Sequence, residues 1–403
     1  MPAPLDGIRV LDLGTRIAAP FCAGLLGEQG ADVVKVEDPR GGDFMREIGP
    51  FVPPGDDPEG EATYSLFWAV EGRGRRSVTL DLRTADGQAL LRRLAEQADV
   101  LVENFRPGTL ERWNIAPADL PERLVTVRIS SFGQDGPKSS RPGLDRVGIA
   151  VGGLMHLTGY PDLPPVRVGV TISDYLTGLF AAQAALAALY ARDTRGGGGA
   201  VIDAALYGAS LRILEWTLPA YDRMGTVRKR EGNRLANSAP LDNYPTADGR
   251  FICIVAGSDA NFARLCKAME RPDLVEDPRF ASLAERAAHG DDVNGIVAEW
   301  TASLPAIEIE QRCVDCDVPV ATAYTAADIF SDPHIAERGD LVTVDDPVAG
   351  PLRQQAPFPR RAGEAPPVPE GAPRLGEHTR EVLTEWCELS EGDVDDLAAR
   401  GVV

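Results

Sequence analysis

The sequence is poor in the residues that build most recognisable centres. It has four histidines in 403 residues, at 156, 289, 334 and 378, with neither His-x-x-x-His spacing nor a carboxylate escort, so no metal is expected. Its six cysteines, at 22, 253, 266, 313, 316 and 387, are too scattered for a disulfide framework, and reduced thiols are expected. Cys313 and Cys316 form one C-x-x-C, but no second pair accompanies it and the following DVPVATAY lacks the dressing of a redox turn, so both read as packing residues. Basic charge is also short: 41 Lys and Arg against 61 Asp and Glu leave a net charge of −20, which opposes binding to nucleic acid or an anionic membrane. No apolar run reaches the ~18 residues of a membrane span, and MPAPLDGIRVLDLG has no charged n-region ahead of an apolar stretch. A soluble cytoplasmic protein is expected.

A glycine-rich dinucleotide loop is missing as well. The first third alternates strand and helix: IRVLDL at 8–13, a helical AAPFCAGLLGEQG at 18–30, ADVVKVE at 31–37, RSVTLDL at 76–82, a helix over 86–97, ADVLVENF at 98–105 and LVTVRISSF at 124–132. That alternation predicts an α/β fold with a parallel sheet covered on both faces. Between the first strand and helix, however, the chain reads GTRIAAP, with a single glycine where G-x-G-x-x-G would let a pyrophosphate approach. A nicotinamide or flavin oxidoreductase is therefore disfavoured.

What the chain does have is VGVTISDYLTG at 168–178, which sets Asp174 in a small-residue turn at the start of an Ala/Leu-rich helix over 174–192. Read alone, Asp174 could be an acid, a base, a nucleophile or an N-cap. The helix is apolar on almost every face and is expected to be largely buried. TRGGGGAVIDAAL then turns into another strand and helix. From about 225 the composition changes, and FICIVAG, amphipathic helices over 259–270 and 290–303, and PVATAYTAADIF suggest a smaller α+β domain. The expected division is 1–224 for the N-terminal part of a large domain, 225–330 for the small one, and 331–403 for a strap, proline-rich at 346–373, with a C-terminal return. Such a strap must wrap around the first domain or a second subunit.

Nine segments, LDGIRVLDL, GADVVKVE with PRGGD, RRSVTLDLR, ADVLVENFRPGTLERW, RISSFGQDGP, VGVTISDYLTG, NYPTADGRF, DPRF and LGEHTREVL, occur in this order over nearly the whole chain. Together they resemble the class III coenzyme A transferase family, which includes formyl-CoA transferase, carnitine CoA-transferase and α-methylacyl-CoA racemase. The resemblance implies a large Rossmann-like domain built from both chain ends, a smaller middle domain and an interlocked homodimer. It also implies an acyl-CoA and a carboxylic acid as substrates, no permanently bound cofactor, and a nucleophilic aspartate at Asp174. A carboxylate of pKa ~4 is ionised at neutral pH and can attack a thioester without an adjacent base. The expected course is an aspartyl anhydride, then an aspartyl-CoA thioester.

CoA brings phosphate charge that an acidic protein must answer locally. Arg73, Arg75, Arg76 and Arg83, with Arg106 and Arg112, are the expected cluster, although any of them could be solvated surface charge. By resemblance the CoA contacts fall on Ile17, Ala18, Leu80, Asp81, Leu82, Arg83, Asn104, Phe105, Arg106 and Arg112, with Arg40 weaker because Asp38 occupies the usual basic position. Asp145 is a possible second acid, or a cap or ion-pair partner. The alternatives are a racemase, whose catalytic histidine would stand where Gly143-Leu144-Asp145 has Leu144, and a non-catalytic CoA-binding dimer. The formyl-CoA branch has a glutamine at the position of Ile17 and a glycine run that VAGSDANF at 255–262 lacks, so a larger or more apolar acid than formate or oxalate is expected.

Overall fold

Six short apolar runs build one parallel sheet in the computed structural model, which describes residues 3–403. They are β1 (Arg9–Asp12), β2 (Asp32–Glu37), β3 (Arg76–Thr79), β4 (Val100–Glu103), β5 (Val125–Ser130) and β6 (Val201–Ala205). All neighbours pair parallel, and the order across the sheet is β3-β2-β1-β4-β5-β6. This is the doubly wound order that places a crevice where the strand sequence reverses, here between the carboxyl ends of β1 and β4.

Alternation along the strands supplies two cores. Leu11, Val34, Val78 and Leu101 face one way, onto α2 (Ala85–Gln97) and the C-terminal helices Thr379–Cys387 and Glu391–Ala399, through Leu94, Leu383, Trp386 and Val394. Val10, Val33, Val100, Val102 and Val127 face the other way, onto α1 (Ala18–Gly27) and, beyond the short α3 (Asp145–Val151), onto α4 (Ile172–Arg195). The chain's C-terminus thus covers a sheet made by its N-terminal half.

α4 departs from expectation in two ways. Its buried stripe, Ser173, Thr177, Ala181, Ala185 and Leu189, recurs every fourth residue, but Leu179, Leu186 and Tyr190 on the opposite face are exposed, so the helix is not largely buried. At 24 residues it is also long and apolar enough to cross a membrane by length and composition, which the absence of an unbroken apolar run had excluded. Here it lies against α1 and β5.

The chain divides into two units by contact. One contains the residues up to Leu154 with Arg167–Leu218 and His334–Val403; the other contains Met155–Val166 with Pro219–Pro333. The second has a three-stranded antiparallel sheet, Leu241–Pro245, Phe251–Val255 and Val320–Thr322, packed by helices Asp259–Ala268, Gly290–Ala302 and Ala306–Asp315. Its core of Tyr244, Ile252, Phe262, Phe280 and Val297 also holds Cys313, whose thiol burial pushes up to about 12. All six cysteines are free. The strap is only partly irregular: Leu341–Asp346 and Gly350–Gln355 form a β-hairpin, and the stretch after it returns along residues 46–74, where the Pro373 carbonyl accepts from Trp68 Nε1 at 3.0 Å and Arg46 Nη1 at 3.1 Å.

Candidate active site

The loop after β1 is set by one glycine and by side chains from neighbouring strands and loops. A Cβ on Gly14 would lie 2.5 Å from that of Ala19, so α1 passes too close for any other residue there. Asn104, following β4, clamps the next residue on both sides: its Oδ1 accepts from Thr15 N at 2.9 Å and its Nδ2 donates to Thr15 O at 2.7 Å. Beneath the loop Lys35 donates to Gly14 O at 2.6 Å and pairs with Asp43 at 3.0 Å, while Arg75 pairs with Asp12 at 2.9 Å. Burial works against the Lys35 charge, but Asp12, Asp43 and Glu37 outweigh it and hold the ammonium above the ordinary lysine range. Buried charges persist only when paired in this way. Asp12, Lys35 and Asp43 were missed in the sequence; for Asp12 and Lys35 the readable signal was charge inside the apolar runs IRVLDL and ADVVKVE, while Asp43, in PRGGD, carried none.

The loop and this buried network border a cleft of about 210 Å³, walled by Leu13, Thr15, Lys35, Glu37, Asp38, Asp43, Leu80, Asp81, Leu82, Arg83, Phe105 and Trp113. It therefore gathers residues in or following β1, β2, β3 and β4. Phe105 meets Trp113 edge to face at 5.1 Å. Leu80 and Leu82 are buried, and Ile17 and Ala18 turn their side chains into the core, so the last two can offer a ligand only backbone. Among the described residues no three His, Cys, Asp or Glu side chains stand together as a metal set.

Asp174 is the third residue of α4, one turn above Gly178, and it is not the N-cap, which is Thr171 without a side-chain bond. A Cβ on Gly178 would stand 2.7 Å from Ala18 O, so this end of α4 is pressed against the start of α1. The missing cap comes from another helix: the buried Asp145, first residue of α3, accepts from Ser173 N at 2.8 Å. The Asp174 carboxyl makes no hydrogen bond or ion pair among the described residues. Burial first, and the Asp145 charge second, raise its carboxyl to about 7, against a lowering by Arg16. The expectation of a carboxylate fully ionised at neutral pH is corrected accordingly, because a helix N-terminus does not compensate for lost water and a neighbouring anion.

The arginine cluster separates into two kinds. Arg73 is held by Glu28 at 2.9 Å and Gln355 O at 2.7 Å, Arg75 is buried on Asp12, and Arg76 is shared by Asp32, Glu381 and Glu385, so these three are structural and do not face the cleft as a phosphate cradle. Arg83 and Arg40 stand at the rim but both pair with Asp38, Arg40 at 2.9 Å. Arg106 is exposed, and Arg112 donates only to Thr109 Oγ1 at 2.8 Å. Leu144 is 56% exposed with no basic group to offer, and His156 falls in the second unit. A larger opening of about 910 Å³ lies between α1, α4 and residues 355–369; Asp174 is not in its wall, though Tyr175 is, donating to the buried Glu71 at 2.8 Å.

The sequence profile of CoA-transferase family III matches residues 5–379. Succinyl-CoA–D-citramalate CoA-transferase of Chloroflexus aurantiacus is 41% identical over 405 residues, covering 100% of this chain and 98% of the relative. The beta subunit of succinyl-CoA–L-malate CoA-transferase from the same organism is 40% identical, covering 99% and 98%. The crystal structure of a CAIB/BAIF family protein from Brucella suis superposes with a TM-score of 0.83 at 33% identity, covering 96% of this chain and 100% of that one. The chain belongs to CoA-transferase family III and is a CoA-transferase, moving the CoA group between an acyl-CoA and a carboxylic acid.

Proposed function

We propose that the protein transfers CoA from succinyl-CoA to a second dicarboxylic acid through covalent forms of Asp174. The observation that carries this reading is the Asp174 carboxyl itself, buried at a helix start beside the β1 loop and without a side-chain partner among the described residues. Both relatives named above are named for succinyl-CoA and a hydroxy dicarboxylic acid, which supports the substrate class and, of the expected larger or more apolar acid, favours the larger, doubly charged one.

In the first step Asp174 attacks the thioester carbonyl, the C–S bond breaks, and a mixed anhydride and CoA thiolate form. The thiolate then attacks the aspartyl carbonyl, releasing succinate and leaving an aspartyl-CoA thioester. The acceptor carboxylate attacks that thioester to form a second anhydride, and the thiolate takes the new acyl group and frees Asp174. A proton affinity near neutrality makes the carboxylate a stronger nucleophile than an exposed one. Holding thiolate and anhydride together keeps water from competing. The CoA group lies across the cleft, with Arg40, Arg83, Arg106 and Arg112 answering phosphate, Phe105 offering an aromatic face, and Ile17, Ala18 and the Leu80, Asp81, Leu82 backbone lining its path. Asn104 serves as the clamp on Thr15, and Asp145 positions α4 rather than acting as a second acid.

The acting unit is a homodimer of interlocked subunits. Support comes from the exposed apolar faces of α3, α4 and α5 (Leu206–Arg212), and from the open space under residues 355–369, which a partner chain could fill.

Trapping decides the covalent route. With succinyl-CoA and hydroxylamine, peptide mass spectrometry should find a hydroxamate at Asp174, and Asp174→Ala should lose transfer by about 10³-fold or more. CoA transfer that continues with Asp174 unmodified would overturn it.

A further inference from the structure

The steps of CoA transfer give Arg16 no task, yet its placement is costly. Its backbone sits in the left-handed region at φ 69°, where a residue with a Cβ loses about 1 kcal/mol. Neighbouring groups hold it there: Asp43 Oδ1 accepts from Arg16 N at 3.1 Å, and Asn104 grips Thr15 from both sides. The guanidinium lies over the Phe44 ring, 4.0 Å from its centroid. Stacking leaves the edge of the fork open, and among the described residues no carboxylate pairs with it and no acceptor takes a hydrogen bond from it. Arg46, Arg73, Arg75, Arg76, Arg128 and Arg192 of the same unit are all ion-paired.

The open edge has one neighbour of consequence. Gly178, one turn after Asp174, stands against Ala18 O, two residues after Arg16, and Phe21 meets Tyr175 edge to face at 4.8 Å, so the starts of α1 and α4 lie side by side; Arg16 is the cation whose field lowers the Asp174 carboxyl. It does not close an ion pair with Asp174. A planar fork of donors beside the reacting carboxyl suits a second carboxylate, held bidentately. Without such a cation, Asp145 and Asp174 would repel a substrate carrying a free carboxylate.

We propose that Arg16 determines specificity by holding the free carboxylate of a dicarboxylic acyl group while its other carboxyl reacts at Asp174. This rests on the reading of Asp174 as nucleophile. An acyl group ending in a methyl offers Arg16 no partner; a succinyl group offers a carboxylate.

The test compares succinyl-CoA with butyryl-CoA, equal in chain length and different in the terminal charge, using the full-length protein and its R16Q and R16K variants. Steady-state CoA transfer from each thioester to one fixed acceptor acid gives kcat/KM for that thioester, and Asp174 labelling by hydroxylamine is read separately by mass spectrometry. The wild type should prefer succinyl-CoA. R16Q should lose about 100-fold on succinyl-CoA, mainly in KM, with butyryl-CoA within about threefold of wild type, and R16K should recover part of the loss. Unchanged butyryl-CoA turnover also shows that the variant is folded. Equal losses on both thioesters, as from a lost CoA contact or a misfolded loop, would overturn the assignment, as would a succinyl preference that survives in R16Q. If neither thioester labels Asp174, the nucleophile reading fails; if both label it and the R16Q preference is intact, only the Arg16 assignment fails.

Discussion

Burial and the Asp145 carboxylate raise the Asp174 carboxyl from 3.8 to about 7, and stability and rate respond to that in opposite directions. Between those two values the folded chain holds the proton more tightly than the unfolded chain, so stability falls as pH rises through the window and stays reduced above it. Asp174→Asn should therefore raise the melting temperature at pH 8, with the gain shrinking to nothing as pH approaches 3.8, a comparison that thermal scans at both ends check. The rate of the Asp174 step should fall on the acid side of about 7. Asp145→Asn keeps an oxygen for Ser173 N but removes the charge, so the acid limb of kcat/KM should move to lower pH. Asp38 is a second lever: it occupies both Arg40 and Arg83 at the cleft rim. Asp38→Asn should free them and lower KM for the CoA thioester by about twofold to fivefold, with a steeper salt dependence. VGVTISDYLTG made Asp174 legible as a residue of interest, but not its proton affinity, which depends first on burial and then on a carboxylate 29 positions earlier in the chain.

Two helix ends and one loop position the site. α1 and α4 approach so closely because their contact carries Ala18, Ala19, Cys22, Gly178 and Ala181, all small. Gly178→Ala would put a Cβ 2.7 Å from Ala18 O and 3.2 Å from Cys22 N. It should destabilise the fold by about 1–3 kcal/mol in urea unfolding and lower transfer activity, because Asp174 moves away from Arg16 as the helices part. The strands and α2 were readable because apolar alternation and cap residues are local; Thr84, for instance, caps α2 through Gly87 N. The half-exposed α4 was not, since its outer Leu179, Leu186 and Tyr190 look in sequence like core. Composition reports how apolar a helix is, and only its neighbours decide which face is covered.

At the scale of the whole molecule the outward apolar faces of α3, α4 and α5, which pack on one another, carry Leu144, Val147, Leu186, Tyr190 (65% exposed) and Leu211. A dimer would cover them. Light scattering should give twice the mass of the 43.1 kDa chain, and Tyr190→Asp with Leu186→Glu should halve it or cause aggregation. The doubly wound sheet was announced by strands alternating with helices, and the family by nine segments in order, because both are written in local pattern and spacing. Which arginines are free was not. Arg76 is consumed by Glu385, 309 positions away, and Arg73 by Gln355, while Arg16, inside a short loop with one glycine, stays open. Sequence by itself determined the strand periods, the absence of a dinucleotide loop and the aspartate at a helix start. Tertiary structure alone decided which charges cancel and which remain beside Asp174, because charge pairing depends on distances in space that no spacing along the chain encodes.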